Sequence, residues 1–132
     1  MYKKYLTVPC AISMEEAVRC FDEIQHAVGE KKDELLDEVY NDFVASCIRY
    51  AHIRAEWAIL TREDQMEKDS SRTSAHNRVI DTHNILARYM SKIGLSAEWH
   101  TVLGYNPEER MTRKRLGDFA CYVALFLGLE SR

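Results

Sequence analysis

Only 2 prolines and 5 glycines punctuate the 132 residues of this chain. So few breakers leave little room for the many tight turns of an all-β fold. Its 4 cysteines, Cys10, Cys20, Cys47 and Cys121, include neither a Cys-x-x-Cys pair nor a Cys/His ligand spacing. They read as packed thiols in a reducing compartment rather than as a disulfide frame or a zinc site. No apolar run reaches the roughly 18 residues a membrane helix needs, and the opening MYKKYLTVPCAIS lacks a signal-peptide core. A cytoplasmic chain with no membrane partner is expected. A positive excess is missing too, since the formal net charge is -3. That argues against polyanion binding by the whole surface, while a local basic patch stays open and nucleic acid is not an expected partner. Glycine-rich phosphate loops, Gly-x-Ser-x-Gly elbows and an obvious Cys–His nucleophile pair are also lacking. No cofactor is expected, and an enzyme is the less favoured reading.

What is present is long 3.6-residue periodicity. With 46% hydrophobic and 30% charged residues, the chain is long enough for one core and too short for two. It predicts a single all-α domain over residues 1–132, a helical bundle of about five helices behind an N-terminal arm at 1–12. Ser13-Met-Glu-Glu16 spells a capping box and opens a helix to about Val28, closed by Gly29. The next helix runs from near Asp33 to about Leu60, carrying Leu36, Val39, Tyr40, Phe43, Cys47, Tyr50, Ala51 and Trp57 at three- and four-residue steps. Thr61 caps a fresh turn, a polar extension follows, and Ser70-Ser71 is expected to be a loop. A candidate central helix covers Ser74 to Ile93, with Gly94 after its end. Ser96 should cap a short helix ending at Gly104. Asn106-Pro107-Glu108-Glu109 starts the last helix, which either runs on to Leu127 or restarts at Thr112.

Leu116 to Leu129 is apolar nearly all round, which means burial on several sides or an oligomer interface. Gly117, Cys121, Ala124 and Gly128 form a small-residue strip that lets another helix approach closely. A homodimer through this helix is the expected assembly. Acids and bases are also unevenly distributed: ten acids and three bases lie in 15–42, against eight bases and four acids in 72–115. This asymmetry favours packing between the halves, or between two copies.

On the central helix, Asn77, Asp81, Asn84 and Arg88 make a narrow polar line opposite the apolar face of Ala75, Val79, Thr82, Leu86, Met90 and Ile93. Two amides, a carboxylate and a guanidinium at successive turns suit a small polar ligand or a partner's backbone. The competing readings are the solvent side of an amphipathic helix and a satisfied polar network buried between this helix and a covering one. His76 and His83 share a flank about 10.5 Å apart along the axis, too far for one metal ion. A di-metal carboxylate bundle would need two Glu-x-x-His pairs on separate helices. The chain has one, Glu23 to His26, which His52 and Glu56 could join only as an i,i+4 pair; no metal is expected. Arg110, Arg113, Lys114 and Arg115 form a basic cluster that is a candidate phosphate or RNA contact, although pairing with the acidic first half or with a second subunit is preferred.

Arg78-Val-Ile-Asp-Thr-His83 has the Arg-x4-His spacing and in this resembles the HEPN ribonucleases, small all-α proteins that are often dimeric. The resemblance covers six residues and departs from the usual pattern at Val79. It implies a metal-independent ribonuclease in which His83 manages a proton and Arg78 the developing charge on the scissile phosphate. On one continuous helix, however, these two side chains leave the axis about 140° apart. The leading expectation is therefore a non-enzymatic interaction or regulatory module that self-associates, with the ribonuclease as the alternative.

Overall fold

A computed structural model of the chain describes residues 11–104 and 106–130. The arm expected over 1–12, and Cys10 with it, lies almost wholly outside the described residues. Five α-helices and, among the described residues, no strand make up the fold: α1 Met14–Lys31, α2 Glu34–Ala58, α3 Arg62–Lys92, α4 Glu98–Leu103 and α5 Arg110–Glu130. The all-α bundle is as the periodicity predicts.

The helix starts follow local chemistry. The side chains of Ser13, Asp33 and Thr61 accept hydrogen bonds from the N–H groups of Glu16, Leu36 and Asp64 and so satisfy donors that have no partner inside the helix. Four boundaries differ from the sequence expectation. α1 does not stop at Gly29 but continues to Lys31, and Lys32 takes the left-handed turn at φ 52°. Because Asp33 must stand just outside α2 to cap it, the reversal falls at Lys32. Ser70 and Ser71 are no loop, since α3 is continuous across them. With neither Pro nor Gly between Thr61 and Ile93, nothing there breaks a helix, and exposed serines lower its propensity only slightly. Ahead of α4, Ser96 is not the cap; Ala97 occupies that position without a side-chain hydrogen bond. At the start of α5, Asn106 Oδ1 instead accepts from Glu108 N at 3.0 Å within a turn, and the helix begins at Arg110.

Packing places α2 at the centre, with its broadest interfaces on α3 and α5. Phe43 of α2 stacks toward Phe119 of α5 at 6.3 Å, and a 2.7 Å hydrogen bond between the hydroxyls of Ser46 and Thr82 joins α2 to α3 through the interior. Asp33 ties the far ends together by accepting the Tyr89 hydroxyl at 2.9 Å. Every residue of α5 from Leu116 to Leu125 is buried. The all-round apolar character of α5 is thus spent inside one chain. Its small-residue strip serves the same end: a Cβ added at Gly117 would come within 2.9 Å of His76 Nε2 and 3.0 Å of the Tyr50 hydroxyl. Gly117, Cys121 and Ala124 of the strip are thus covered within the chain, while Gly128 is half-buried.

The buried ion pair involves neither the acidic stretch 15–42 nor the basic stretch 72–115: Arg54 meets Asp118 at 2.7 Å. Asp118 is 2% exposed and also accepts the Ala11 N–H. At the opposite end, α2 and α3 form a projecting hairpin in which the Trp57 indole donates to Gln65 O and Gln65 Nε2 donates to Trp57 O, both at 3.1 Å. Arg72 lies 4.2 Å over the Trp57 ring. Among the described residues no helix is long and apolar enough to cross a membrane.

Candidate functional site

The polar line of α3 divides into three environments. Asn77 Oδ1 accepts from Arg113 of α5 at 3.1 Å, so it belongs to a link between helices. Asp81 is exposed. Asn84 and Arg88 instead line a cleft of about 570 Å³ where the last turns of α3 meet α4. The line extends one turn further than its four residues: Ser91, three residues beyond Arg88, joins them, and Ser96, Glu98, His100 and Thr101 approach from the α4 side. Continuing the three- and four-residue steps past Arg88 would have found Ser91. The α4 residues carry no such signal, because a chain reversal brings them in.

Aromatic rings form the cleft's backing. His83 is 0% exposed and stacks on His100 with ring centroids 4.9 Å apart and planes 21° from parallel. Trp99, 1% exposed, meets the His83 ring edge-on at 5.3 Å. A hydrogen bond of 3.2 Å links His83 Nδ1 to Asn84 Oδ1; as an amide oxygen only accepts, Nδ1 carries the proton. His83 Nε2 and the Trp99 indole N–H are buried without a hydrogen-bond partner among the described residues. Burial above all, and also the nearby His100 charge, pull the His83 pKa down to about 4, while the Asn84 bond opposes this. The ring is neutral at pH 7. α4 is held in place from behind, where Trp99 N donates to the Glu23 carboxylate at 3.2 Å.

The cleft therefore offers a guanidinium, an amide, three hydroxyls, an imidazole and one carboxylate around a volume of small-molecule size. None of its hydroxyls is hydrogen-bonded to His100 among the described residues, so the nucleophile–base pairing that covalent catalysis uses is not formed. These groups suit recognition by charge and hydrogen bonding.

The other sequence candidates do not converge. Arg78 is exposed on the α2 side of α3, where it lines a separate pocket with Arg49, whereas His83 lies inside the fold beside Trp99. His76 is buried too, its Nε2 bonded to Arg113 O at 2.9 Å and its ring edge-on to Tyr50 at 4.9 Å. Its ring and hydrogen-bond partners, Tyr50 and Arg113, differ from those of His83. Glu23 and His26 part company, for His26 is exposed and paired with Glu30 at 3.3 Å. Of the basic cluster, Arg113 bonds Asn77, Arg110 and Lys114 are exposed, and Arg115 is half-buried. Among the described residues, no three His, Cys, Asp or Glu side chains gather as metal ligands would. Comparison of the chain with protein-family models, with curated proteins and with solved structures finds no match in any of the three, so the chemistry of the cleft rests on this chain's own residues.

Proposed function

We propose that the protein is a non-enzymatic interaction module that holds the carboxylate end of a partner polypeptide in the α3–α4 cleft. The observation that supports this is the convergence on one cleft of Arg88, Asn84 and Ser91 from α3 with Ser96, Thr101 and Glu98 from the α4 side. A guanidinium matches a planar carboxylate with two parallel hydrogen bonds. Glu98 accepts from the peptide N–H groups that a polypeptide end carries and a simple acid lacks. With α5 used inside the chain, partner recognition belongs to this cleft rather than to the small-residue strip.

Titration with a tripeptide bearing a free C-terminus, beside its amidated form, tests the reading through the His100 imidazole resonances. The free acid should bind saturably and the amide at least tenfold more weakly. Arg88→Ala, at an exposed position, should also lose tenfold or more, as removal of a charged hydrogen bond of about 1.5–3 kcal/mol implies. Equal binding of acid and amide, or none of either, would remove the proposal.

A further inference from the structure

On the side of α3 that faces α2, a second pocket of about 250 Å³ is lined by Arg49, Ser70, Ser71, Ser74, Ala75 and Arg78. Arg78 and Arg88 are ten residues apart, about 15 Å along the helix axis, so this pocket is distinct from the cleft. Two cations from different helices face one concavity that no carboxylate lines. Bringing like charges together is unfavourable unless something answers them. Among the described residues neither Arg49 nor Arg78 forms an ion pair, although Arg54 and Arg72 on the same two helices do. Each guanidinium keeps its fork of donors, and three hydroxyls supply further ones.

We propose that this pocket is a binding site for a phosphate monoester. A dianion matches two positive charges, and three terminal oxygens allow each guanidinium to bond two of them while the serine hydroxyls donate to what remains. The volume is below the roughly 300–1,000 Å³ of sites that enclose a whole small molecule. It accommodates the phosphoryl head, and the rest of the ligand stays outside. The continuous helix across Ser70 and Ser71 is what makes the site: as a loop, this stretch would not set its hydroxyls about two turns from Arg78 on a face toward Arg49.

Calorimetric titration with inorganic phosphate and, separately, with glycerol 3-phosphate tests the site. Glycerol 3-phosphate should bind saturably and weaken with added salt. Comparable binding of inorganic phosphate would place all the recognition in the head group, and weaker binding would show that the ester arm contributes; either result fits the site. The double variant R49Q/R78Q should lose at least tenfold while keeping its helical circular dichroism, since both residues are exposed. The charge-preserving R49K/R78K should fall between the two, because lysine lacks the paired donors. R110Q/K114Q, which removes the same charge elsewhere on the surface, should bind as the original does. Absence of saturable binding, or an equal loss in R110Q/K114Q, would overturn the proposal. The peptide titration of the cleft is independent of all these variants, so either site can fail alone.

Discussion

Arg54 and Asp118 meet at 2.7 Å with the carboxylate sealed from solvent, and through them α2, α5 and the backbone at Ala11 share one charge pair. Removing one partner leaves the other charge buried. Asp118→Ala should therefore cost about 3–5 kcal/mol in urea unfolding. Replacing both residues with apolar side chains, as in R54M/D118L, should cost markedly less, because no charge is then stranded. A single-variant loss below about 1 kcal/mol would show that the pair is not a structural clamp.

Acid should destabilise the fold before most carboxylates protonate. His76 and His83 both have pKa values lowered from 6.5 to about 4, chiefly by burial, and at His76 also by the charges of Arg113, Arg72 and Arg54. Between these values the unfolded chain binds more protons than the folded one, so stability rises with pH. The contribution is present above about pH 6.5 and is lost as pH falls toward 4. At 1.36 kcal/mol per pH unit, each ring accounts for about 3 kcal/mol. Urea midpoints measured from pH 7.5 to 4.5 should drop continuously below 6.5, and a flat profile would contradict the buried, neutral state of both rings.

Gly117→Ala should destabilise, although alanine is the better helix former. The added Cβ would press on His76 Nε2 at 2.9 Å and on the Tyr50 hydroxyl at 3.0 Å, and both neighbours sit in the packed interior. An overpacking loss of about 1–3 kcal/mol is expected from thermal or urea unfolding. If the small-residue strip served a second copy instead, the variant would alter sedimentation and leave monomer stability unchanged.

Incubation with mixed RNA should give no cleavage that depends on Arg78 and His83 together. The first is on the surface and the second is enclosed by Phe43, Trp99 and His100. His83→Ala should instead appear as a stability defect of about 2–5 kcal/mol, the cost of a cavity where a large buried side chain stood. Cleavage abolished by both H83A and R78A would restore the ribonuclease reading.

The elements and the core were legible because α1, α2 and α3 bury residues at helical spacing and begin at residues that cap. Leu36, Phe43, Cys47 and Tyr50 of α2 are all buried, as their three- and four-residue steps predict. The end of α1 was harder to place, since Gly29 permits a stop that the competing cap at Asp33 overrides. Half of the cleft was visible in Asn84 and Arg88. The other half depends on the turn after Gly94, whose φ of 82° carries the chain back over α3, and helical periodicity cannot describe a reversal. The pairing of Arg49 with Arg78 was hidden for a similar reason: it needs the register of α2 against α3, which neither helix encodes alone.

The length of α3 has a consequence for motion. From Ala75 onward the helix is buried along one face, but residues 62–74 are all exposed except half-buried Gln65 and Arg72. Among the described residues, that first stretch is held by the hairpin contacts of Trp57, the Thr61 cap and the Arg72–Asp69 pair. Its amides can exchange with deuterium through local opening, whereas those around Val79, Leu86 and Met90 wait for the whole bundle to unfold. One uninterrupted helix thus keeps two clocks, and the serines of the phosphate pocket sit on the boundary between them.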